Sequence, residues 1–88
     1  MKAVITVLGK DRTGIIAAVS NLLYQKGVNI LDISQTILSG MFTMIMLVEI
    51  GQDSQYDVVR EALLAMAQDM NLEIRVQRSD IFDAMHRI

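Results

Sequence analysis

Eighty-eight residues with no cysteine and a formal charge of −2 are enough for one domain, residues 1–88, and exclude disulfides, thiolate metal sites and cysteine nucleophiles. No Lys/Arg cluster occurs, so nucleic acid is not an expected partner. No apolar run has the length of a membrane span and the segment M-K-A-V-I-T-V-L-G-K is too soon interrupted for a signal peptide, so a cytoplasmic protein without membrane contact is expected.

Residues 2–8, K-A-V-I-T-V-L, are rich in β-branched side chains and read as a strand. Apolar groups occupy both of its faces, as a central strand requires. A hydrophilic loop from Gly9 to Gly14 follows, holding Lys10, Asp11, Arg12 and Thr13. Ile15, Val19, Leu22 and Leu23 then recur at helical spacing. Thr13 is the expected N-cap and Lys26-Gly27 the helix stop.

From Asn29 to Leu38, Leu31, Ile33 and Ile37 alternate with Asp32, Ser34 and Thr36, which predicts a half-exposed strand. Ser39-Gly40 is a two-residue hairpin turn. The returning strand, 41–50, is apolar almost throughout and is expected to be covered on both faces. Gly51 to Asp53 reads as a turn, and Ser54-x-x-Asp57 as a capping box. The second helix buries Val59, Leu63, Met66 and Met70, and Asn71 closes it. Leu72, Ile74 and Val76 alternate in a fourth strand, and Ile81, Phe82, Met85 and Ile88 fit a short C-terminal helix.

The order strand-helix-strand-strand-helix-strand predicts an α+β, ferredoxin-like βαββαβ sandwich: a four-stranded antiparallel sheet with two helices on one face. Such a fold hosts many activities, so the side chains must decide between them. RNA-binding versions need exposed rings and basic groups on the central strands, where this chain offers Met44, Met46 and Val48. An acylphosphatase-type enzyme would use Arg12 to hold a phosphate and Asn29 to position water. That alternative stays open, as does a purely structural interaction protein.

The segment V-x-G-K-D-R-T-G-I-I-A-A-V-S, followed by G-V-N-I-L-D-I-S-Q-T, resembles the ACT domain, and the tail I-F-D-A-M-H-R-I resembles its short stand-alone (UPF0237-like) members. D-R-x-G-I and the downstream N-I carry the match. The resemblance covers the whole chain and implies a regulatory module that binds a small effector, commonly an amino acid, often between two such domains. Thr13 stands where many members have proline, which leaves the corner less rigid but able to cap the helix.

On this reading Gly14 and Ile15 offer bare amides at the positive end of a helix dipole to a carboxylate. Asp11 can take an ammonium group, and Arg12 can grip an acid through a bidentate pair. The resemblance implies that Asn29, with Ile30, comes from the neighbouring subunit. Asp32, Ser34 and Gln35 could line the same pocket, although such groups are commonly the wet side of a sheet. The ligand-binding set is therefore Asp11, Arg12, Thr13, Gly14, Ile15, Asn29, Ile30 and Asp32.

No catalytic residue, metal or cofactor is expected. His86 has no nucleophile or orienting carboxylate placed for it, and Asp80 with Asp83 supplies too few ligands for an ordered ion. The seven methionines fit core packing better than copper binding. Hydrophobic residues make up 52% of the chain and charged ones 20%, whereas a domain of this size buries only roughly 60–65% of its unfolded surface. The surplus favours a homodimer, formed sheet face to sheet face or strand edge to strand edge.

Overall fold

The computed structural model of the chain describes residues 1–10 and 14–78. Its elements are β1 (Lys2–Lys10), α1 (Ile15–Gln25), β2 (Asn29–Leu38), β3 (Met41–Glu49), α2 (Asp53–Met70) and β4 (Glu73–Arg78). The strands lie in the order β2-β3-β1-β4, every neighbouring pair antiparallel. Ile15, Val19 and Leu23 of α1 and Val59, Leu63 and Ala67 of α2 share one core with the inward side chains of β1 and β3. Both helices therefore cover the same face, and the ferredoxin-like arrangement expected from the element order is the one observed. The expected C-terminal helix lies outside the described residues.

Local chemistry sets the corners. Ser39 and Gly40 both take positive φ, 53° and 78°, as a tight hairpin between right-twisted strands requires. Gly27 at φ 72° ends α1, and the Val28 N–H donates back to the Leu23 carbonyl at 2.9 Å. Asn71 ends α2 in the same left-handed conformation, and the Leu72 N–H donates to the Ala67 carbonyl at 2.8 Å.

Several expectations need correction. β1 does not stop before Gly9: Gly9 pairs with Phe42 and Lys10 with Met41, because β3 is long enough to carry both. A Cβ at Gly9 would stand 2.5 Å from Leu72 Cδ2, so this glycine makes room for a neighbour and is no flexible corner. The second helix begins at Asp53, after Gln52 in extended backbone with no side-chain cap, so Ser54 lies inside it and not at its N-cap. Its buried stripe uses Ala67 beside Val59 and Leu63, while Met66 and Met70 are only half-buried. The first helix is preceded by Gly14 at the N-cap, without a side-chain cap; Thr13, expected there, lies outside the described residues.

Coverage of the sheet also differs from expectation. β2 is not half-exposed but exposed from Leu31 through Ile37, because it is the edge strand and the helices pack over its inner neighbours. On β3, Phe42, Met44, Met46 and Val48 are buried, whereas Met41 and Ile45 on the opposite face remain 46% and 47% exposed. The expected cover on both sides of β3 is incomplete within one chain.

Candidate functional site

The corner between β1 and α1 is framed by two fixed points. Lys10 is held in register opposite Met41, and the Ile15 side chain is buried in the core at 1% exposure. Between them Gly14 takes φ 93°, a left-handed conformation in which a side chain would be strained. Among the described residues, a Cβ placed there meets nothing within 4 Å. The first intrahelical bond runs from the Ala18 N–H to the Gly14 carbonyl at 2.9 Å. The amides of the three residues before Ala18 consequently have no partner within the helix. Among the described residues no side chain caps this end, and its first turn holds no acidic residue to offset the positive end of the dipole.

Gly14 and Ile15 thus form the N-terminus of α1. Asp11, Arg12 and Thr13 lie outside the described residues. Asn29, Ile30 and Asp32 occupy the opposite end of the sheet: Asn29 is in register with Glu49, which is in register with Lys2, the first residue of β1. The eight steps from Lys2 to Lys10 span about 26 Å at ~3.3 Å per residue. One small ligand cannot touch both groups in a single chain. The same separation counts against an acylphosphatase-type pairing of the loop with Asn29, because Lys10 and Gly14, which bracket the loop, sit far from it.

Around Asn29 the edge strand is irregular. A β-bulge falls between Ile30 and Asp32, leaving Leu31 without a partner in the register. Ile30 packs against the core, and the Asp32 carboxylate accepts the Ile33 N–H at 2.9 Å. Farther along, a shallow depression of about 240 Å³ is lined by Gln35, Thr36, Ile37 and Phe42. Ser34 lies on the other face of the strand, opposite Ile45.

A concavity that sequence reasoning missed lies beside Lys10. Leu8, Gly9, Lys10 and Met41 form one side and Asn71, Leu72 and Glu73 the other, enclosing about 290 Å³. A groove of about 590 Å³ between α2 and β4 continues from Asn71, Leu72 and Glu73. The one available signal was Gly9 itself, whose missing side chain admits Leu72 from a distant part of the chain. Among the described residues, no group of three or more His, Cys, Asp or Glu side chains could hold a metal ion. None of the described helices is long and apolar enough to cross a membrane.

Comparison with known proteins gives one consistent answer. The profile of the ACT domain family matches residues 2–77. A UPF0237 protein of Listeria monocytogenes is 46% identical over 89 residues, covering all of both chains. The solved ACT domain protein from Streptococcus pneumoniae is 43% identical, covers 98% of each chain and superimposes with a TM-score of 0.84. A structure provisionally described as a glycine cleavage system transcriptional repressor is 34% identical with a TM-score of 0.81. The match takes in 88% of this chain and 44% of that one.

Proposed function

This chain belongs to the ACT domain family, and we propose that residues 1–88 work as a single such domain, a homodimeric regulatory module that binds an amino acid and has no catalysis of its own. Its effect on metabolism would then pass through another protein. The observation that carries this reading is the N-terminus of α1, which no described side chain caps and where a Cβ at Gly14 would meet nothing within 4 Å among the described residues.

The proposed site takes the ligand carboxylate on the amides at Gly14 and Ile15 and on Arg12, and the ligand ammonium on Asp11, with Thr13 at the rim. Asn29, Ile30 and Asp32 would come from the neighbouring subunit. The topology supports this division, because β2 is an edge strand whose outer side is unpaired among the described strands. Two β2 strands joined antiparallel about a two-fold axis set the Asn29 end of one beside the Leu38 end of the other. That end of the sheet also holds the corner between Lys10 and Gly14. A site shared in this way makes ligand binding and assembly favour each other.

A thermal-shift screen of the protein against the twenty amino acids tests the reading. A ligand at a hundred times its dissociation constant, binding only the folded state, adds about 2.7 kcal/mol of stability. One or more amino acids should raise the melting temperature, and the shift should vanish in Asp11→Ala and in Asn29→Ala. No shift with any of them, at concentrations up to several millimolar, would sink the proposal.

A further inference from the structure

We infer that the hollow beside Lys10 receives the side chain of the effector and selects a neutral carboxamide, as in glutamine or asparagine. The inference rests on the amino-acid reading above, narrows it to one class of amino acid, and places its contacts on residues that reading does not use.

Unequal strand lengths create the hollow. β1 stays paired with β3 as far as Lys10 and Met41, whereas its pairing with β4 ends at Leu8 and Glu73. The left-handed Asn71, at φ 57°, turns the chain there, so two residues of β1 overhang the end of β4.

The hollow also shares a wall with the corner before α1. A Cβ on Gly9 would lie 2.5 Å from Leu72 Cδ2 and 3.7 Å from Ile15 Cδ1, so the turn after α2 and the first residue of α1 converge on one point of β1. An amino acid whose carboxylate lies on the Gly14 and Ile15 amides has Leu72 near it, and its side chain has the hollow on the β4 side to enter. The volume of about 290 Å³ falls just below the range of about 300–1,000 Å³ usual for ligand pockets, which fits one side chain better than a cofactor.

Charge sets the class. Lys10 and Glu73 are the charged residues of the lining, one of each sign. Both leave the same face of the sheet as Leu8, which is in register with Glu73 and two residues before Lys10. Diagonal neighbours of this kind are about 7–8 Å apart, so two long side chains can both reach a small group between them. They form no ion pair with each other, and among the described residues Lys10 makes none. Arg75, which is not in the lining, donates to Glu73 Oε1 at 3.3 Å, and the carboxylate keeps the capacity to accept another donor.

A carboxylate side chain would meet Glu73 and an ammonium side chain would meet Lys10. An aliphatic one would take water from both charges without replacing it. A carboxamide presents its oxygen to the Lys10 ammonium and its NH₂ to the Glu73 carboxylate, while Leu8, Met41 and Leu72 cover the methylene groups.

Isothermal titration of the full chain with glutamine, asparagine, glutamate, lysine and leucine tests the inference. Glutamine or asparagine should bind at least about tenfold more tightly than the other three. Glu73→Gln should cut the preference over glutamate by about tenfold, and Lys10→Met the preference over lysine by as much. Both side chains are exposed, so neither substitution should disturb the fold. If glutamate, lysine or leucine binds as tightly as the two amides, the inference is overturned and the amino-acid reading stands. A ranking left unchanged by either substitution also overturns it. No binding by any of the five does the same, and the thermal-shift screen of all twenty then decides the wider reading on its own.

Discussion

The two faces of β3 are built from almost the same residue types and meet opposite fates. Phe42, Met44, Met46 and Val48 are sealed under two helices, while Met41 and Ile45, one position away along the same strand, are nearly half exposed. The difference is set by topology. Both described helices lie on the same side of the sheet, so their cover is spent there. An apolar strand at the centre of such a sheet satisfies one side within its own chain and leaves the other for an associated surface.

Substitutions on the two faces should break or sharpen that contrast. On the covered face, Leu63→Ala should cost about 2–5 kcal/mol, because it removes a fully buried side chain and leaves a cavity among tightly packed neighbours. Denaturant unfolding measures this, and the loss should be the same at every protein concentration above that of assembly. Ile45→Ser on the open face should change the stability of the isolated chain by no more than about 0.5 kcal/mol. Its visible effect should be to weaken the rise of melting temperature with protein concentration.

Gly9→Ala should fall between these, at about 1–3 kcal/mol, since the new methyl group forces Leu72 to move. If Leu72→Ala relieves part of that cost in the double variant, the close approach is its cause. Removing the charge of Glu49, which lies 3.2 Å from the amine of Met1, should also be mild. Glu49→Gln is expected to cost at most about 1 kcal/mol in a dilute sample, because the carboxylate is 43% exposed.

Much of the fold was legible because local chemistry and global arrangement agree. Ser39-Gly40 and Gly27 mark turns that need positive φ, and the methionines at 44 and 46 lie at core spacing. Edge position is different in kind. Alternation along β2 predicted one wet side, but whether a helix reaches the other depends on where the strand sits in the sheet, which periodicity does not encode. The start of α2 misled for a related reason: Ser54-x-x-Asp57 has the composition of a capping box, yet the helix starts two residues earlier than that, with Gln52 at the cap.

Of the candidate site, Gly14 was readable as a glycine at the start of the first helix, and the structure places it there, at the N-cap with φ 93°. The distance between Gly14 and Asn29 was not readable, because it arises from the antiparallel register of three strands. Nor was the hollow beside Lys10, whose walls come from β1, β3 and the turn after α2.

The bulge at Leu31 has a consequence for how this surface can change over generations. Because Leu31 has no partner in the register, it acts as a spare tooth: a chain lacking it could keep Asp32 opposite Leu47 and Ile33 opposite Met46. If it were absorbed into regular pairing instead, every later residue of β2 would turn over. Asp32 and Ser34 would then point towards the helices, and Ile33 and Ile37 away from them. One position thus governs the polarity of both sides of the strand. Changes in length here can preserve or invert an entire surface without altering any other residue.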